Sequence, residues 1–491
     1  MPRVSTALVL TLLLISSAPA RTDTLVILHT NDLHAHLRDD YDGSGGLPFV
    51  SGYIRQERSL RPDVLVVDAG DVAEKGDLVA FATDCEIVYE ALGRIGYHAG
   101  APGNHDHDFG LPQLRRFASL AHPMQMLCIN LLEDDGTTSF QPSAIFDIDG
   151  VKVGVIGMIV PRNENCLDDE ETGIAMSKEA ERLEPLVDLT IAVCHDGAQA
   201  CAALSRLAPL IDLFVSGHSH EALHEAVVVP ETGARIVQAG SYAEYVGRVE
   251  LVIDLDTKEI VQAESRLVAM EHDSVPCDIG MLEWIRETET RLTPEARRLV
   301  AWTDQTFDYR QLADLGAAAL RSATGAEIAF CAPGQIIRDS LPIGLIDVNA
   351  VFRTGGERAH EVVETRLLGS TIESYLRGLE QSDWYQTSWS GFRASIDKGP
   401  EGPRVSTDLD PDRTYRVVLP KLEWDTRFLR LLDRAQKNAG EWNLNLPETA
   451  PPAHPVATSF TEAVTRYLEP GIKGGISLDE IIRQASAASK P

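Results

Sequence analysis

The chain has 491 residues, more than a single hydrophobic core supports, and length alone predicts about three domains, which the motifs below reduce to two. A formal net charge of −30 speaks against nucleic-acid polymers as partners, because proteins that track phosphate backbones need basic surfaces. The seven cysteines show no C-x-x-C spacing, and an odd count leaves at least one thiol unpaired in an oxidising compartment.

In chain order, residues 1–20 carry Arg3, the apolar stretch Ala7 to Ile15 and the small-x-small triplet Ala18-Pro19-Ala20. This is the layout of a secretory signal, so the mature chain is expected to begin near Arg21 and to be exported to a periplasm or the cell exterior. The stretch is well short of the roughly 20 residues a membrane span requires, and no later segment qualifies. No Cys follows it, which argues against a lipid anchor of the bacterial type.

Strand-like runs Thr24 to His29, Val64 to Val67, Val151 to Ile159, Leu189 to Val193 and Leu213 to Ser216 then alternate with helix-like stretches. The latter are Phe49 to Ser59, Thr83 to Ile95, Pro112 to Ala121 and Ser177 to Leu186. Alternation of this kind predicts a layered α/β domain.

Polar clusters sit at the ends of such runs: Asn31-Asp32-Leu33-His34, Gly70-Asp71, Gly103-Asn104-His105-Asp106, Cys194-His195-Asp196 and Gly217-His218-Ser219-His220. Alone, Asp32 reads as a turn or helix cap and the Gly-His-Ser-His tetrapeptide as a turn. Together, the five strand ends aim oxygen and imidazole donors at one place. Two divalent cations about 3.5–4 Å apart need a shared anionic ligand among such donors, and Asp71, alone on its strand end, suits that role. Strand alternation turns Cys194 away from the site that His195 faces, and Cys128 reads as another small buried hydrophobe.

Asp32-x-His34, Gly70-Asp71, Gly103-Asn104-His105-Asp106, His195 and Gly217-His218-Ser219-His220 resemble the ordered signature of the calcineurin-like metallophosphoesterases, and specifically of their 5′-nucleotidase family. Gln238-Ala239-Gly240-Ser241-Tyr242 and Val246-Gly247-Arg248-Val249 extend the resemblance, which covers residues 24 to 265. It implies a four-layered αββα sandwich over residues 21–270, followed by a smaller α+β domain. One metal would be held by Asp32, His34 and His220, the other by Asn104, His195 and His218, with Asp71 bridging. Asp, Asn and His donors suit Zn, Mn, Fe or Co. The resemblance implies attack on phosphorus by a metal-bound hydroxide, a nucleophile that two metals make available near neutral pH. It also pairs His105 with Asp108, an imidazole held by a carboxylate that can stabilise charge or protonate a leaving oxygen. His107, between them, competes for that role.

Residues 271–300 read as a charged helix that either bridges two domains or packs on the first. Residues 301–491 resemble the C-terminal substrate-binding domain of 5′-nucleotidases through Asp308-Tyr309-Arg310, the helix Leu312 to Thr324, Ile328-Ala329-Phe330, Ile336-Ile337-Arg338 and the strand Thr414 to Leu419. Arg310 and Arg338 match the family's phosphate-gripping arginines, whose guanidinium forks suit phosphate oxygens. As a bare residue Arg310 reads equally as a surface ion-pair partner, Arg338 less so. Asn104 is also placed against the substrate. The family's Asn-Gly-Gly-Gly-Ile-Arg is replaced by Pro333-Gly334-Gln335-Ile336-Ile337-Arg338, and its Pro-Phe-Gly by Arg353-Thr354-Gly355, which removes the first base-stacking ring. Trp424 is a candidate replacement ring, with Trp384, Tyr385 and Trp389 as competitors.

The expectation is an exported two-metal phosphoester hydrolase acting on a small nucleotide. Cyclic nucleotides, other phosphodiesters, sugar phosphates and sulfur-linked esters are the alternatives on the same scaffold. A binding protein that had abandoned catalysis would be free to lose ligands, and all seven are present.

Overall fold

The computed structural model describes residues 21–487 apart from 40–42, 75, 163–164, 342, 383–385, 400–401, 438–443 and 475–476. The expected signal segment, Trp384 and Tyr385 lie outside the described residues.

The first half contains β1 (Thr22–Thr30), β2 (Leu65–Asp68), β3 (Ala99–Gly100), β4 (Gln125–Met126), β5 (Ser143–Ile148), β6 (Val151–Ile159), β7 (Leu189–His195), β8 (Leu213–Ser216), β9 (Val227–Val228), β10 (Arg235–Val237), β11 (Tyr245–Asp254) and β12 (Glu259–Ala269). They form two six-stranded sheets, ordered β12-β11-β1-β2-β3-β4 and β5-β6-β7-β8-β10-β9. The strands β1 to β4 run parallel in the first sheet, and β6, β7, β8 and β10 run parallel in the second. Their C-terminal ends therefore meet at one edge of the sandwich.

Why these strands are apolar throughout follows from coverage of both faces. In β1, Leu25 and Ile27 pack into the layer between the sheets, while Val26 and Leu28 face the helices outside. In β7, Ile191 and Val193 face inward while Ala192 and Cys194 join the outer layer, so Cys194 does point away from the sheet interface that leads to His195.

Outside the first sheet lie α1 (Leu47–Leu60), α3 (Glu86–Ile95) and α5 (Leu111–Leu120), with the short α2 (Leu78–Phe81) and α4 (Asn104–Asp108) between them. Outside the second lie α6 (Asp169–Leu183) and α7 (Ala198–Leu207). The domain is thus an α/β/β/α sandwich. The charged helix α8 (Ile279–Leu292) buries Met281 and Ile285 in the same layer as α1.

The second half is built on a five-stranded sheet with one helical layer on each face. The helices α9 (Tyr309–Thr324) and α10 (Val348–His360) cover one face. The N-terminus of α9 is set by Asp308, whose carboxylate accepts from the backbone N–H groups of Arg310 and Gln311. Leu78 of α2 packs onto this second core, and Phe81 meets Phe352 of α10 with ring centroids 5.4 Å apart.

Candidate metal centre

The five polar clusters converge at the C-terminal ends of the parallel strands. Asp32 and His34 follow β1, Asp71 follows β2, Asn104 follows β3, His195 ends β7, and His218 and His220 follow β8. Asp32, His34, Asp71, His218 and His220 all adopt positive φ, between 45° and 70°. Such backbone costs about 1–3 kcal/mol per non-glycine residue and persists where surrounding contacts hold it. Here those contacts are direct: the amides of Asp32 and His34 donate to the carbonyls of Gly70 and Asp71, and the His218 amide donates to the Asp32 carboxylate. Asn31 links the same loop to the Gln238-Ala239-Gly240 segment, donating to the Gly240 carbonyl and accepting from the Ala239 amide.

Two donor groups result. In the first, His34 Nε2 and His220 Nε2 are 3.0 Å apart, and Asp32 Oδ1 lies 3.4 Å from His220 Nε2 and 3.8 Å from His34 Nε2. The second gathers Asp71, His195 and His218, with Asp71 Oδ2 3.1 Å from His195 Nε2. The same Asp71 oxygen is 3.9 Å from His34 Nε2, so this carboxylate faces both groups.

The polar inventory fits metals. His195 Nδ1 donates to the Ala69 carbonyl at 2.7 Å, so Nε2 is the ring nitrogen left to face Asp71 and a metal. That buried Nε2 and the buried Asn104 Oδ1 make no hydrogen bond, and an unsatisfied buried donor set of this kind is what a cation completes. Burial opposes charge on His195, yet the adjacent Asp71 carboxylate raises it to about 10. Burial likewise disfavours charge on Asp71, but His195, His34 and His105 hold its carboxyl well below the usual range. His218 is pushed down to about 4 by burial and by the neighbouring cations His195 and Arg162.

His105, in α4, belongs to neither donor group, and its ring centroid lies 5.4 Å from that of His34. Its Nδ1 lies 3.5 Å from Asp108 Oδ2, one helical turn on, and 3.2 Å from Glu74 Oε2. Asp108 is 72% exposed at the side chain and Glu74 only 6%. His107 is half-buried and belongs to neither donor group.

Of the second-domain candidates, Arg338 is exposed and acts electrostatically on Tyr242, whose ring lies 5.6 Å from His34 and 5.5 Å from His220. Arg310 is exposed and stacked over Tyr309, 5.5 Å from the ring. Trp424 is buried, 5% exposed, and its ring stacks on Phe428 at 4.4 Å within the second domain's core. Trp389 likewise stacks on Phe392.

Several residues at the site have structural roles that their sequence motifs do not reveal. Glu74 joins His105 to Arg358, which donates from Nε and Nη2 to Glu74 Oε1. Buried Asp106 accepts from the Ala73 and Gly103 amides and so ties the Asp71 loop to α4. Arg353, standing where the family's ring is expected, bonds the buried Asp77 carboxylate at 2.8 Å. A cavity of about 490 Å³ opens beside His105, walled by Asp108 and Glu74 of the first domain and Glu357, Arg358 and Lys421 of the second. No helix among the described residues is long and apolar enough to cross a membrane.

Comparison with known proteins agrees with this geometry. The family of calcineurin-like phosphoesterases matches residues 25–222, and the 5′-nucleotidase C-terminal domain matches residues 289–422. The chain is 25% identical to endonuclease YhcR of Bacillus subtilis over 82% of its own length, spanning 37% of that protein. It is 25% identical to protein UshA of Yersinia enterocolitica over 81% of this chain and 84% of that one. The crystal structure of a 5′-nucleotidase precursor from Thermus thermophilus superimposes with a TM-score of 0.69 at 22% identity, covering 91% of this chain and 96% of that one. Two matched domains in the same order and a two-centre donor set at the strand ends make this chain a member of the 5′-nucleotidase family of calcineurin-like, metal-dependent phosphoester hydrolases.

Proposed function

We propose that the chain is an exported hydrolase that releases phosphate from nucleoside 5′-monophosphates or related small nucleotides. The observation that carries the reading is the Asp71 carboxylate facing two donor groups at once, with His105 beside it and outside both. Asp32, His34 and His220 would hold one divalent cation and Asn104, His195 and His218 the other, with Asp71 shared. Bound there, the cations supply a water of lowered pKa and neutralise phosphoryl charge. His105, oriented by carboxylates, stabilises charge on the phosphoryl oxygens or donates a proton to the leaving oxygen. Arg338, at the rim near Tyr242, and Arg310 are assigned to the substrate phosphate. The net charge of −30 favours a small substrate over a polymer. Export rests on the layout of the first twenty residues.

A second reading has a specific observation behind it. Trp424 is committed to the core and Arg353 to Asp77, so neither supplies a stacking face for a base. Cyclic nucleotides, other phosphodiesters and sugar phosphates then compete as substrates. Phosphate release by the purified protein with Mn²⁺ or Zn²⁺ separates the two. Preference for nucleoside monophosphates over bis(p-nitrophenyl) phosphate and sugar phosphates supports the first, the reverse order supports the second, and no turnover with two metals bound rejects both.

A further inference from the structure

The carboxylate nearest the catalytic imidazole is not the one in its own helix. Glu74 Oε2 stands 3.2 Å from His105 Nδ1, whereas Asp108 Oδ2 stands at 3.5 Å. Asp108 is largely in water and Glu74 is almost wholly shielded, and a charge-assisted contact is stronger and better fixed where water is excluded.

Glu74 is also held from the opposite side. Arg358, from α10 of the second domain, places Nε at 3.1 Å and Nη2 at 3.0 Å from Glu74 Oε1, so the two carboxylate oxygens have separate tasks. The residue itself sits at φ 75°, a conformation that a non-glycine residue holds only under constraint. Its Oε2 lies 3.8 Å from His34 Nδ1 as well.

Resting on the hydrolase reading, we propose that Glu74 is a positioning residue that orients His105, and that Arg358 fixes Glu74 from the second domain. The second domain thereby supports the catalytic ring as well as the substrate. A glutamine at 74 has one acceptor oxygen for two claimants, so it keeps the volume and fails to satisfy Arg358 and His105 together.

The test uses the mature, Mn²⁺-loaded protein and its Glu74→Gln, Arg358→Gln and Asp108→Asn variants, with AMP and p-nitrophenyl phosphate as probes. Glu74→Gln is expected to lower kcat roughly 10- to 100-fold with KM within about threefold and two metals retained, a larger fall than in Asp108→Asn. Arg358→Gln, which leaves the first domain untouched, should follow in the same direction with a smaller fall. The imidazole N–H resonance that disappears in His105→Ala should shift in Glu74→Gln more than in Asp108→Asn. Unchanged kcat in Glu74→Gln, or a larger effect of Asp108→Asn, overturns the assignment. Metal loss in Glu74→Gln also overturns it, because Glu74 would then act through His34. If the wild type turns over neither probe the hydrolase reading fails, and the N–H resonance still decides whether Glu74 holds His105.

Discussion

At the scale of single residues, Asp71 and His105 have separable tasks, although the Asp71 Oδ1 atom accepts the His105 backbone N–H at 2.9 Å. Asp71→Ala removes the carboxylate that faces both donor groups, and is expected to abolish turnover and leave the protein with fewer than two metals by elemental analysis. His105→Ala removes a ring that belongs to neither group, so metal content should stay at two while kcat falls roughly 10²- to 10⁴-fold, the range for a general acid or base. Metal loss in His105→Ala would make it a ligand. Glu357, across the cavity, offers a different readout. Burial, with the Glu74 charge adding to it, raises its carboxyl to about 7, above an unfolded value near 4.3. Between those two values the folded state binds the extra proton, so the wild type loses stability as pH rises through that window. Glu357→Gln mimics the protonated form. Its melting temperature relative to wild type should therefore be higher at pH 8 than at pH 5, and an equal difference at both pH values would contradict this.

At the scale of elements, the site exists because loops approach more closely than side chains normally permit. A Cβ on Gly103 would stand 2.1 Å from Asp71 Oδ1 and 2.2 Å from the Asp71 amide, so Gly103→Ala must push α4 away from the β2 loop. We expect a loss of roughly 1–3 kcal/mol and reduced metal occupancy, measured by thermal unfolding and metal analysis of the same sample. How much of this architecture is legible in sequence depends on range. The strands β6 and β8 stand where their apolar runs place them, since covered faces demand continuous Val, Ile and Leu. The helix α6 begins eight residues earlier than its apolar spacing suggests, at a capping box formed by Asp168 and Glu171 whose acidic first turn reads as loop. The strand that leads to the Gly103-Asn104-His105-Asp106 cluster is only Ala99–Gly100, too short for an apolar run to mark it. The donor clusters were visible because each is a contiguous motif. Glu74 and Arg358 were not, because 284 residues separate them and only docking of the domains brings them together. The stacking of Trp424 on Phe428 is hidden for a related reason, since sequence alone does not distinguish a ring stacked on a base from one stacked on a neighbouring side chain.

At the scale of the whole molecule, the two domains meet through charge as well as apolar contact. Asp77 is fully buried and accepts from Arg353 Nε at 2.8 Å and from Asn349 Nδ2 at 2.6 Å, while the Leu78 amide donates to Asn349 Oδ1. Arg353 also donates to the carbonyls of Arg38 and Asp39, and Arg38 donates to Asp347. Burial would raise the Asp77 carboxyl, but Arg353 and Arg38 hold it well below the usual range, so it stays ionised and depends on its partners. Removing one member of such a pair leaves an uncompensated charge and costs about 3–5 kcal/mol. Arg353→Ala should therefore destabilise the docked arrangement far more than an exposed arginine substitution such as Arg94→Ala, whose pair with Glu90 is solvent-exposed. Calorimetry provides the decisive measurement. If the interface couples the domains, the wild type unfolds in one transition and Arg353→Ala in two, with the Asp77→Ala, Arg353→Ala double variant recovering part of the loss. A single, unshifted transition in Arg353→Ala would mean that the remaining contacts, Leu78, Phe81 and Phe352 with the Asn349 hydrogen bonds, hold α2 and α10 together. In that case the arginine standing in the family's ring position would contribute nothing to stability that its absence removes.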